Sequence, residues 1–107
     1  MPDPVRVLYA TLESYLKTHG RRVLSIAEST GQDRVRIELR ALYRYYDPSA
    51  EYPRLVDVLS ALSSRELEEL EKIGIKLMGR GEYAVLEVPL EHVEKVLESG
   101  NQSYGGL

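Results

Sequence analysis

Six arginines and a tyrosine between positions 21 and 46 are the side chains of this 107-residue sequence best suited to chemistry. Arg34, Arg36, Arg40 and Arg44 form one series, preceded by Arg21 and Arg22 and followed by Tyr46. A guanidinium is always charged and can hold a phosphate through two parallel N–H donors. A neighbouring aromatic ring adds a stacking surface, worth ~1–3 kcal/mol per base in single-strand binders. Residue type and spacing therefore point to contact with the backbone of DNA or RNA. Tyr52 lies close enough in sequence to join Tyr46 as a stacking surface. The competing reading is cross-strand ion pairing, with the arginines next to Glu38 and opposite Glu28. Tyr43 and Tyr45 are expected inside, because all the aromatics are Tyr and there is no Phe or Trp to fill a core.

Other chemistries find little footing. His19 is expected at the end of the first helix, where an imidazolium interacts favourably with the helix dipole. His92 is expected on the last helix. Neither has a second histidine at ligand spacing, and the chain has no cysteine, so no metal and no cofactor is expected. The carboxylates Glu66, Glu68, Glu69 and Glu71, and then Glu87, Glu91, Glu94 and Glu98, are spaced as on solvated helix faces. A general acid–base pair needs a concave, partly dry site, and nothing in that spacing indicates one. Ser60, Ser63 and Ser64 stand where helix caps are expected. No glycine-rich dinucleotide or P-loop motif occurs, and Gly79-Arg80-Gly81 reads as a hairpin turn. A non-enzymatic binding module is the expectation.

Positioning these residues requires regular elements. Val5, Leu8, Tyr9, Leu12, Tyr15 and Leu16 fall at helical spacing, so Val5 to Thr18 is expected to be a helix opened by Pro4 and ended by Gly20. Residues 21–46 allow two readings. In the favoured one, Val23 to Ala27 is a strand, Thr30 to Asp33 a turn, and Arg34 to Tyr45 a second strand. Val35, Ile37, Leu39, Ala41, Tyr43 and Tyr45 then share one face, and the arginines share the other with Glu38 and Leu42. In the second reading, Ser25 to Glu28 caps a helix and Gly31 makes the turn of a helix-turn-helix. Val35, Leu39, Leu42, Tyr43 and Tyr46 are then buried, with Arg36, Arg40 and Arg44 outside. That reading leaves the first helix too short and the second too close to the glycine.

Asp47 to Pro53 is expected to be a loop between two prolines. Leu55, Val56, Leu59 and Leu62 mark a helix. Ser63 and Glu66 form a capping box for the next one, which buries Leu67, Leu70 and Ile73 and ends at Gly74. Ile75 to Met78 and Tyr83 to Val88 read as a hairpin around Gly79 to Glu82. Pro89 opens a last helix carrying Leu90, Val93 and Leu97, which Gly100 ends. The expected fold is a single α+β domain over 1–100, ordered α-β-β-α-β-β-α, with two hairpins packed against helices and a flexible tail at 101–107. Leu16, Gly20, Val23 and Leu24 repeat at Leu70, Gly74, Leu77 and Met78, a spacing that a duplicated helix–hairpin unit would produce.

Two resemblances bear on this. Ser63 to Val88 resembles the last helix and wing of a winged-helix domain, with Leu67, Leu70, Gly74 and Ile75 leading into Gly81-Glu82-Tyr83. The alternative fold is therefore winged-helix-like, mostly α with one hairpin wing. Its helix carries Glu66, Glu68, Glu69 and Glu71, which phosphate would repel, so the resemblance implies contact with protein. Gly20, Val23 to Ala27 and Val35 to Leu39 resemble small iron–sulfur scaffold domains, but the cysteine pair such domains carry is missing.

Composition sets the outer bounds. Hydrophobic residues are 43% and charged residues 29%, which excludes wholesale disorder. No apolar run is long enough for a membrane span, and Met1 to Arg6 has no apolar segment behind a basic head, so no secretory signal is expected. The missing cysteines fit a cytoplasmic location. Many charges, with only two Gln and one Asn, resemble a heat-adapted composition. Residues 1–46 carry a net charge of +3 and residues 47–107 a net charge of −6, totalling the formal −3. A basic and an acidic half could complement each other between copies or against a partner. The alternative function is therefore a protein–protein or assembly subunit, homo-oligomeric or part of a larger complex.

Overall fold

The first helix does not stop at its glycine. In this computed structural model, which describes the backbone of residues 3–105 and the side chains of 3–98, α1 spans Pro4–Ser29. Asp3 caps it by accepting from the Val5 N–H at 3.0 Å, and Pro4 occupies the first turn. Its buried stripe is Leu8, Leu12, Leu16, Gly20 and Ala27, with Val23 and Leu24 half-buried between the last two. Spacings of three and four thus run unbroken through Gly20. The expected strand Val23–Ala27 is the last third of this helix, so the first hairpin is absent, as is the helix start at Ser25.

Gly31 ends α1. At φ 72° it lets the Gln32 N–H reach the Ala27 carbonyl at 2.9 Å, while its own N–H reaches that of Glu28 at 3.2 Å. This is the paired closure of a helix C-terminus. Strand β1, Arg34–Glu38, follows, with Val35 and Ile37 buried and Arg34, Arg36 and Glu38 exposed. The expected twelve-residue strand ends after five. The Leu39 N–H turns to the Ala84 carbonyl at 3.0 Å, and α2 (Leu39–Leu42) begins, followed by one 3₁₀ turn at Tyr43–Tyr45. Burial switches from every second residue to Leu39 and Leu42, three apart, which leaves Ala41 exposed and Tyr43 42% exposed.

After the 46–54 loop come α3 (Leu55–Ala61) and α4 (Ser64–Lys72). The Ser63–Glu66 capping box forms as expected, with Ser63 Oγ accepting from the Glu66 N–H and Glu66 Oε1 accepting from the Ser63 N–H. Gly74, at φ 87°, closes α4 as Gly31 closes α1. Gly20, by contrast, lies inside a helix, so the repeated spacing at 16–24 and 70–78 does not correspond to repeated structure.

Strands β2 (Lys76–Met78) and β3 (Val85–Pro89) form the expected hairpin around a 3₁₀ turn at Gly81–Tyr83. The sheet is antiparallel in the order β1-β3-β2, with Arg36 opposite Glu87 and Glu87 opposite Lys76. Helix α5, Leu90–Gly105, continues through Gly100, where the sequence reading ended it. Of the expected tail, 101–105 belongs to α5 by backbone, and residues 106 and 107 lie outside the described residues.

Among the described residues there are five helices and one three-stranded sheet, so the fold is α+β. The order is α1-β1-α2-α3-α4-β2-β3-α5 in place of the expected α-β-β-α-β-β-α: one hairpin forms, β2-β3, at the segment read as a wing, and β1 joins it as a third strand. The core lies between the inner sheet face (Val35, Ile37, Leu86, Val88) and the helices (Leu12, Leu16, Leu42, Leu55, Val58, Leu70, Val93). Helix α1 packs chiefly on α5 and then on α3. Among the described residues, no helix is long and apolar enough to cross a membrane.

Candidate functional site

The arginine series is divided among four elements. Arg34 and Arg36 stand on the outer face of the sheet, at edge strand β1, and both turn to one carboxylate. Arg34 Nη1 lies 3.2 Å from Glu87 Oε1, and Arg36 Nε lies 3.6 Å from Glu87 Oε2. Cross-strand register places Glu87 between Arg36 and Lys76, so the pairing partner is on β3 and not Glu28. Arg21 and Arg22 lie on α1, where no hairpin carries them alongside the others. Arg22 is close enough to Tyr15 to act on its hydroxyl. Arg40 is exposed on α2, and Arg44 is exposed on the 3₁₀ turn.

Tyr46 is a strut. It is half-buried, and its hydroxyl donates to the Tyr52 carbonyl, tying the ends of the 46–52 loop. Burial pushes its pKa up, with Ser49 pulling the other way through a hydrogen bond. Tyr52 is buried in the core. Neither offers the free stacking face expected of it.

Exposed aromatic surface occurs instead beside the wing turn. Gly79 and Gly81 both have positive φ, and the chain between β2 and β3 projects Tyr83, which is 81% exposed. Arg40 lines one small hollow with Glu38, Glu82, Tyr83 and Val85. A second hollow of about 250 Å³ is lined by Tyr43, Tyr46, Arg54, Leu55, Val56 and the same Glu82. Arg54 is fixed by Asp57, whose carboxylate accepts from its guanidinium at 3.2 Å and from its backbone N–H at 2.9 Å. That pairing holds the Asp57 carboxyl below the usual carboxylate range. Arg80 is exposed in the same turn. The two hollows thus bring Arg40 and Tyr46, from the expected set, together with Tyr43, Arg54 and Tyr83, and Arg80 lies in the adjoining turn; Tyr43 was expected in the core, Arg80 in a turn and Tyr83 on a strand. The usable signal was an aromatic directly after a glycine-flanked turn.

Two further clusters carry ionisable groups. Tyr45 meets Tyr15 and His19 edge to face with ring centroids 5.6 Å apart, Tyr15 and His19 are tilted against each other at 5.1 Å, and His19 Nε2 meets the Tyr45 hydroxyl at 2.5 Å. Tyr45 thus meets the expectation of an inward ring only halfway. At the far end of the sheet from the wing, α1, α4 and α5 border a cleft of about 780 Å³. Its wall includes His92, whose ring meets Tyr9 edge-on at 5.4 Å and whose Nε2 is buried without a hydrogen-bond partner. Burial and the nearby Lys95 hold His92 below its ordinary pKa, with Glu13 pulling upward. Arg34, Lys72 and Lys95 line this cleft together with Glu13 and Glu91, three basic groups to two acidic ones. No group of three His, Asp or Glu able to hold a metal occurs among the described residues. Helix α4 exposes Glu68, Glu69 and Glu71 beside Arg65 and Lys72, so the helix leading into the wing presents an acidic surface.

Comparison with protein-family models, with curated proteins and with solved structures gives no match to this chain.

Proposed function

We propose that the protein is a binding module that contacts nucleic acid through the patch beside its wing turn. The observation that carries this reading is the 81% exposed Tyr83 bordering the same hollow as the exposed Arg40. An aromatic ring projecting from a turn, with guanidinium groups next to it, provides stacking and phosphate contact at one place. Arg40 and Arg80 supply the backbone contact in this reading. Arg34 and Arg36 contribute less, because Glu87 already neutralises part of their charge. The acidic face of α4 turns away phosphate, so a winged-helix arrangement here works through the wing and not through the helix.

The test is fluorescence anisotropy with labelled DNA and RNA, single- and double-stranded, at low salt and at about 0.15 M salt. Binding to any of them that weakens on Arg40→Ala with Arg80→Ala supports the reading. No binding to any of them at tens of micromolar, even at low salt, overturns it. The reading that would then remain is a protein partner of basic character. The observation favouring that partner is the exposed Glu68, Glu69 and Glu71 of α4, flanked by Ile73, which is 46% exposed.

A further inference from the structure

Charge and aromatic surface at the wing patch point to different classes of nucleic acid. Duplex DNA and RNA hide their base faces in the stack and are held largely through phosphates, which requires unneutralised cations. The patch holds three guanidinium groups, of Arg40, Arg54 and Arg80, beside three carboxylates, of Glu38, Asp57 and Glu82, and of the three arginines only Arg80 is outside the carboxylate-lined hollows. Arg54 is paired with Asp57 at 3.2 Å. Arg40 shares its hollow with two carboxylates, Glu38 and Glu82, and Glu82 also lines the hollow of Arg54. Away from the patch, Glu87 takes up Arg34 and Arg36. A phosphate backbone approaching this side meets as many carboxylates as guanidinium groups.

The unused chemistry is the tyrosine rings. Tyr83 is 81% exposed and Tyr43 is 42% exposed, and each borders a hollow that Glu82 also lines. A ring of either kind has a π-face that any unpaired base can cover, whatever its identity. The carboxylates that repel phosphate are acceptors for the amino groups an unpaired base presents, as acidic side chains accept from cytosine N4. A ligand with accessible base faces, free N–H donors and sparse phosphate contact satisfies all three features.

Resting on the proposed function, we infer that the patch selects unpaired bases: its ligand is single-stranded nucleic acid, held by stacking on Tyr83 and Tyr43, and duplex is excluded. Whether the strand is DNA or RNA is an arm of the test, since both present the same base faces.

The experiment compares one labelled 12-nucleotide sequence as single-stranded DNA, as single-stranded RNA and as the DNA duplex. The protein is the full chain and its variants Tyr83→Ala, Tyr83→Phe and Tyr43→Ala. Single strand is expected to bind at least tenfold more tightly than duplex. Tyr83→Ala should weaken it about tenfold and Tyr43→Ala severalfold, while Tyr83→Phe, which keeps the ring, stays within twofold of the parent. A log–log salt dependence of magnitude about 1.5 or less should accompany this, since each of the two phosphate contacts on a single strand adds only about 0.7. Equal or tighter binding of duplex overturns the inference while leaving the proposed function standing. So does single-strand binding that Tyr83→Ala leaves unchanged. Absence of binding to all three ligands overturns both.

Discussion

Gly20 of α1 lies directly beneath Leu97 of α5: a Cβ at position 20 would stand 3.1 Å from Leu97 Cδ2. The glycine thus serves the approach of two helices. A mid-helix glycine costs about 1 kcal/mol relative to alanine, and the packing of α5 on α1 offsets it.

Replacing Gly20 with valine adds a branched side chain where one atom is already tight. Gly20→Val is expected to lose about 1–3 kcal/mol through overpacking. A shift of the urea midpoint at unchanged slope would register it. A variant as stable as the parent would show that α5 does not seat here.

The Ser63 cap should matter on its own. Its hydroxyl accepts the Glu66 N–H at 3.3 Å, and the Glu66 carboxylate accepts the Ser63 N–H at 3.0 Å. Ser63→Ala is expected to cost about 1 kcal/mol, seen as a lower melting temperature. Ser63→Asp should restore most of it, because aspartate caps as well and its charge suits a helix N-terminus.

His92 should make stability depend on pH. Its folded-state pKa lies below the ordinary 6.5, mainly through burial and then through Lys95. As pH falls through 6.5 the unfolded chain takes up a proton that the folded chain resists. The contribution is therefore complete above 6.5 and is lost below it. His92→Leu also removes a buried nitrogen without a partner, a change that is neutral or stabilising when shape is kept. The parent should lose more melting temperature between pH 7.5 and pH 5.5 than His92→Leu does. Equal losses would clear His92 of the effect.

Glu87 should be electrostatically important and thermodynamically minor. Its partners Arg34 and Arg36 have side chains 41% and 74% exposed, so solvent screens both pairs. Glu87→Gln is expected to cost less than about 1 kcal/mol. Calorimetry at two salt concentrations checks this, and a larger, salt-independent loss would mean that Glu87 supports packing.

Those same residues show where local pattern was a sound guide. Pro4 at a helix start, Ser63 and Glu66 as a capping box, Gly74 at a helix end and the hairpin around Gly79–Glu82 all form as read. Each depends on contacts within about a dozen residues, which spacing alone reports. Gly31 was recognised as a turn, but it closes α1 and does not link two strands. At the candidate site only Arg40 and Tyr46 of the expected residues line the hollows of Tyr83 and Tyr43, because exposure depends on packing between distant segments.

The stretch 20–46 marks the boundary between local and tertiary control. Val23, Leu24 and Ala27 fit either a strand or the continued helical stripe of Leu8, Leu12 and Leu16, and their own spacing does not discriminate. Alternation from Val35 to Tyr45 is equally compatible with a long strand. What decides is β3, some fifty residues later, which takes β1 as its partner through the register Arg36–Glu87 and Ile37–Leu86. Val23–Ala27 instead continues α1, the helix that packs on α5, and joins no strand. Leu39 then turns toward Ala84, and the arginines beyond it separate onto different faces. Caps, turns and the acidic character of α4 follow from neighbours in the chain. The arginine distribution and the exposed tyrosines follow from which distant surfaces are buried together, where hydrophobic burial overrides local propensity.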